Sequence, residues 1–113
     1  MKTINIKGKE YIPVNERVME LHRQISQDIP YSIETELITA CLPAVVFKAT
    51  VTIGDKVFIG HSGANPAKAI EKQSPYEVAE TSAIGRALGF AGFGIDTGIA
   101  SAEEIIKSEE LGF

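Results

Sequence analysis

Residues 45–61 spell out a β-hairpin whose register is set by the sequence itself. The run Val45-Val46-Phe47-Lys48-Ala49-Thr50-Val51-Thr52-Ile53 is rich in β-branched residues, Gly54-Asp55 follows at once, and Lys56 to His61 returns. Glycine in the first of two loop positions suits a type II′ turn, because that position requires a positive φ. The turn pairs Ile53 with Lys56, Val51 with Phe58, Ala49 with Gly60 and Lys48 with His61. Side chains alternate across a strand, so Phe47, Ala49, Val51, Ile53 and Phe58 share one face, the expected core face. Lys48, Thr50, Thr52, Val57, Ile59 and His61 share the other. Whatever else the chain does, it must cover the first of these faces.

The flanking segments supply the cover. Ser32 to Ile38 alternates Ile33, Thr35 and Leu37 against Glu34 and Glu36, which predicts a further strand. Before it, a helix is expected from about Glu16 to Ser26, with Asn15 as N-cap and Val18, Leu21 and Ile25 on one face. Asn5 to Ile12 reads as an extended lead-in closed by Pro13. After the hairpin, Ser74-Pro75-Tyr76-Glu77 combines an N-cap serine, a proline at the first helical position and a glutamate three residues beyond the cap. A helix is therefore expected from Pro75 to about Ala91, its buried stripe running through Val78, Thr81, Ile84 or Gly85, Leu88 and Ala91. Phe90-Ala91-Gly92-Phe93-Gly94 supplies a glycine stop. Ser101-Ala102-Glu103-Glu104 caps a short last helix through Ile105, Ile106 and Leu111. Helix, three hairpin-linked strands, helix and tail make an α+β fold with an antiparallel sheet. At 113 residues this is one domain, with an α+β core over 1–98 and an acidic tail or short helix over 99–113.

Several function classes lose support. Two histidines and one cysteine are too few for a zinc site, and no cofactor is expected. Cys41 has no intramolecular partner, which excludes a disulfide framework and makes a reducing cytoplasm the expected compartment. No apolar run approaches the ~18 residues of a membrane span, and the first eleven residues do not read as a signal peptide. Glu77 and Glu80, Ser82 and His61 form no recognisable catalytic set. Gly92-Phe93-Gly94 with Gly98 follows a helix, whereas phosphate-binding glycine loops precede one. No enzyme is expected. The formal net charge of −4 is confined to residues 96–113, where Lys107 stands alone against five carboxylates. The rest of the chain is neutral and has room for a basic stripe.

The helix from Pro75 is dense in small residues: Ala79, Ala83, Gly85, Ala87, Gly89 and Ala91. Glycine inside a helix costs ~1 kcal/mol relative to alanine, so Gly85 and Gly89 point to close packing or to an oligomer contact. Arg86 lies between them. Its neighbours three and four positions away are Ser82, Ala83, Gly89 and Phe90, none of them acidic. Arg86 is thus open to a phosphate or to a distant carboxylate such as Glu34 or Glu36.

With these residues in view, the chain resembles the Rad-fifty-two superfamily of single-strand annealing proteins, and most of all its small phage-encoded members. The resemblance covers about Tyr11 to Ser101. Glu80-Thr81-Ser82-Ala83-Ile84-Gly85-Arg86-Ala87-Leu88-Gly89-Phe90-Ala91-Gly92 carries an Arg-Ala-Leu-x-x-x-Gly pattern. Tyr11-Ile12 with Arg17-Val18 matches the start of the family's first helix, and Gly60-His61-Ser62-Gly63 matches its glycine-bounded third strand. The resemblance implies homo-oligomeric rings or filaments that hold single-stranded DNA by its backbone and anneal strands in phage-type recombination. It places DNA-contacting arginines at Arg17 and Arg86, whereas Gly85 and Gly89 stand where further basic residues are common. Lys48, Lys68 and Lys72 are expected to widen the basic track. The other reading keeps the fold without DNA binding: an oligomeric adaptor that recruits other proteins, such as recombination proteins, through its acidic tail.

Overall fold

The structure is a computed structural model that describes residues 1–25, 27–39, 45–65, 75–96 and 98–111, the last five by backbone alone. Its elements are β1 (Ile4–Ile6), β2 (Lys9–Tyr11), α1 (Val14–Gln24), β3 (Tyr31–Thr39), β4 (Val45–Ile53), β5 (Lys56–Ala64), α2 (Pro75–Phe90) and α3 (Ala102–Leu111). Strands β3, β4 and β5 form an antiparallel sheet in that order, α2 lies on one face of it, and the fold is α+β.

The β4–β5 register is the expected one: Ile53 pairs with Lys56, Val51 with Phe58, Ala49 with Gly60 and Lys48 with His61. Gly54 has φ +62°, and Asp55 does not share the positive φ, as a type II′ turn requires. Ala49 and Val51 are fully buried, and Phe47, Ile53, Phe58 and Ile33 pack around them with Leu21 of α1 and Leu88 of α2. On β3, Glu36 pairs with Lys48 and Glu34 with Thr50. On the opposite face of the sheet the rows read Glu36–Lys48–His61 and Glu34–Thr50–Ile59, polar and charged except along β5, where Val57 and Ile59 are exposed.

Three local features differ from the sequence expectation. The lead-in is a two-stranded hairpin, β1 with β2, turning through Lys7 and Gly8, both at positive φ. Asn5 Oδ1 accepts the Gly8 N–H at 3.2 Å and so closes the turn. The first helix starts at Val14 behind Pro13 rather than behind Asn15. Its leading amide is satisfied from outside the helix, since Val14 N–H donates to Glu103 Oε1 at 2.9 Å.

The third difference concerns α2. Its buried positions are Ala79, Ser82, Ala83, Gly85, Ala87, Leu88 and Gly89. Gly85 and Leu88 belong to the expected stripe, whereas Val78, Thr81, Ile84 and Ala91 are only half-buried. The helix is enclosed on two sides. A β-carbon at Gly60 of β5 would lie 2.5 Å from Ala87 N and 2.7 Å from Ala83 O, so strand and helix backbones nearly touch. On the other side α2 meets α1 and the segment after Gly98. The helix ends in a Schellman motif, with Phe93 N–H on Leu88 O and Gly92 N–H on Gly89 O. Ser74, expected as N-cap, lies outside the described residues.

Candidate functional site

Among the described residues, Arg17 is the most deeply committed polar side chain. It sits on α1 facing α2, is fully buried, and donates to four backbone carbonyls. Nη1 reaches Gly85 O at 2.6 Å and Ile99 O at 2.8 Å, and Nη2 reaches Gly94 O and Gly98 O at 3.1 Å each. The planar fork of a guanidinium suits this task, which a lysine ammonium does not match. Burial pulls the Arg17 pKa below the ordinary arginine value, Glu104 and Glu103 act to raise it, and Arg86 adds to the lowering. The resemblance assigned Arg17 to DNA. The structure corrects that assignment: Arg17 ties α1 to the carbonyls of α2 and its exit turn, with no surface left for a phosphate.

Gly85 and Gly89 make room for this arrangement. A β-carbon on Gly85 would stand 2.6 Å from Val14 Cγ2 and 3.0 Å from Ser101 Oγ, and one on Gly89 would stand 2.9 Å from Arg17 Nη1. Of the two expected roles, close packing within the chain accounts for both residues.

Arg86 lies one position along the helix from Gly85 and points toward α3. Its Nη1 is 3.1 Å from Glu104 Oε2, and the Arg86 side chain keeps about 35% of its surface exposed. Its Cζ stands 5.3 Å from the centre of the Phe90 ring. The partner is neither Glu34 nor Glu36 but a carboxylate 18 residues further along the chain. Glu104 is positioned by a capping box at the start of α3: its N–H donates to Ser101 Oγ at 3.3 Å, and its Oε1 accepts the Ser101 N–H at 3.4 Å. With Glu103 on the Val14 amide and Ala102 N–H on Ile12 O, the start of α3 is docked on the core.

Lys48 lies on the polar face of the sheet, and α2 covers the opposite face. It lines a shallow hollow of about 420 Å³ with Glu34, Thr35, Glu36 and Thr50. Arg86 and Lys48 thus do not share one surface. Lys68 and Lys72 lie outside the described residues, as does Cys41. Of the catalytic candidates, Ser82 is buried and Glu80 accepts a hydrogen bond from Thr35 Oγ1 at 2.6 Å, so both are held in the fold. Among the described residues no three histidine, cysteine or carboxylate side chains come together as metal ligands. No helix among them is long and apolar enough to cross a membrane.

Sequence reasoning missed Glu104 and Phe90. The capping box was legible, but the pairing of Glu104 with Arg86 depends on how the chain folds back after Gly98. Phe90 was read only as part of the helix stop. No family model matches the chain, and no curated protein or solved structure matches it.

Proposed function

We propose that the protein is a non-catalytic single-stranded DNA-binding protein that anneals strands as a homo-oligomer, in the manner of phage-type recombination proteins. The observation that carries this reading is Arg86. It is the residue of the Arg-Ala-Leu-x-x-x-Gly segment that keeps a partly exposed guanidinium, and guanidinium is well suited to backbone phosphate. The order α1, three antiparallel strands, α2 agrees with the annealing-protein core that the sequence resembles. A single strand fits better than a duplex, because a major-groove reader inserts a free helix or ribbon and α2 is enclosed by the sheet and α1. With Arg17 spent on the fold, binding rests on Arg86 with contributions from lysines, and it is correspondingly weak and salt-sensitive.

The adaptor reading draws less support. The first two glutamates of the acidic tail face inward, one on the Val14 amide and one on Arg86. The test is binding of a labelled oligonucleotide, single-stranded and duplex, over a range of salt. The expected result is preference for the single strand and a log K that falls linearly with log salt, with Arg86→Ala flattening the slope by about 0.7. No binding at low salt, or an unchanged slope in a folded Arg86→Ala variant, overturns the proposal.

A further inference from the structure

Phe90 is an aromatic residue at the C-terminal end of α2, and 47% of its surface is exposed. Arg86, one turn earlier, lays its guanidinium over the ring at 5.3 Å. A cation and an exposed aromatic at this spacing match one nucleotide unit, in which a phosphate and a base are covalently linked. The same guanidinium is held from the other side by Glu104, whose side chain is 11% exposed. Glu104 presents one carboxylate oxygen, Oε2, to the guanidinium, as a phosphate would present an anionic oxygen, while its Oε1 accepts the Ser101 N–H.

We infer that Arg86 and Phe90 form one nucleotide subsite, the guanidinium for a backbone phosphate and the ring for a stacked base, with the Glu104 carboxylate occupying the phosphate position until a strand displaces it. This inference rests on the single-strand reading and adds to it a base contact and an internal competitor. Glu104 also offsets the buried charge of Arg17, so displacement transfers Arg86 to the strand while α3 stays anchored by Ser101, Ala102 and Glu103.

The test uses the full chain, a homothymidine oligonucleotide, and an abasic oligonucleotide of equal length and charge. The parent binds the thymidine strand more tightly, by about tenfold for one stacked base. Phe90→Leu, a change at an exposed site, erases that ratio. Glu104→Gln retains the shape and the Ser101 contact, removes the charge, and tightens both strands by a similar factor, most at low salt. Folding of each variant is checked by circular dichroism and thermal melting. A parent that binds both strands equally, or a Phe90→Leu variant that keeps the parent's ratio, overturns the base contact. A folded Glu104→Gln variant that binds no more tightly than the parent overturns the competitor. A parent that binds neither strand removes the single-strand reading itself, and this inference with it.

Discussion

Arg17 and Gly89 are fitted to each other: a β-carbon on Gly89 would stand 2.9 Å from Arg17 Nη1 and 3.1 Å from Ile99 O, the carbonyl to which that nitrogen donates. The missing side chain on α2 is the space through which an arginine on α1 reaches the exit segment at Gly94, Gly98 and Ile99. An arginine at 17 and a glycine at 89 are therefore one structural device, 72 positions apart in the chain.

Gly89→Ala tests that device. Alanine in a helix interior ordinarily gains ~1 kcal/mol over glycine. Here the methyl group meets a guanidinium that four carbonyls hold in place, and overpacking of this kind costs ~1–3 kcal/mol. The variant is expected to be less stable than the parent by ~1 kcal/mol, read as a lower urea midpoint at unchanged slope. A higher midpoint would show that Arg17 can shift aside.

Arg17 itself should behave as a structural residue. Arg17→Met keeps much of the volume and leaves four carbonyls without their donor, each such loss costing ~1–3 kcal/mol where the group stays dry. A destabilisation of ~3 kcal/mol or more is expected. Arg17→Lys should recover only part of it, because an ammonium cannot span the four acceptors in one plane. In the folded fraction of Arg17→Lys, the salt slope of DNA binding should match the parent's. A variant as stable as the parent but with a flatter slope would return Arg17 to the DNA surface.

The hairpin and its core face were legible because alternation, a glycine turn and a two-residue loop act locally, so Val51 opposite Phe58 needs no knowledge of the rest. The stripe on α2 was read correctly at Leu88 and Gly85 and missed elsewhere for a physical reason. A hydrophobicity pattern points to large apolar residues, whereas a helix enclosed by both a sheet and another helix buries its smallest ones, Ala83 and Ala87 against Gly60, Gly85 against Val14. The β1–β2 hairpin was missed because Lys7-Gly8 is an uncommon pair for a turn with two positive φ values, and its closure comes from the Asn5 side chain. Arg17 was misassigned because a buried arginine and a phosphate-binding arginine look alike in sequence. What distinguishes them is a set of carbonyls contributed by residues 85, 94, 98 and 99.

The N-terminal hairpin carries an acid-sensitive brace. Thr3 Oγ1 donates to Glu10 Oε2 at 2.6 Å and Asn5 Nδ2 to Glu10 Oε1 at 3.3 Å. These bonds, the Thr3 one first, hold the Glu10 carboxyl below its usual pKa. A depressed carboxylate stabilises the fold above its ordinary pKa and loses that contribution as pH falls through the depressed value. Glu10 should therefore titrate, by side-chain NMR, below a typical exposed glutamate, and Thr3→Val should move it back up. An unchanged titration in Thr3→Val would remove the brace.

The end of the chain is expected to be structural up to Ile106. Two roles compete for the acidic residues 99–113: a mobile brake that repels DNA by like charge, or a segment packed on the body. A brake requires that cutting after Gly98 leave a folded core. The structure places Ile99 O on Arg17, Ala102 N–H on Ile12 O, Glu103 on the Val14 amide and Glu104 on Arg86. That cut therefore removes an acceptor from a buried cation, the cap of α1 and the Ser101 contact that closes over Gly85. The product should melt well below the parent and expose apolar surface to a dye such as ANS, so any change in its DNA binding would say nothing about charge. Cutting after Ile106 is different: every contact named above survives, while Lys107, Glu109 and Glu110 leave. This product should stay folded and melt close to the parent. A Gly98 truncation as stable as the full chain would mean that α3 does not hold Arg17 and α1 in place, and the brake would then be the better account of the tail.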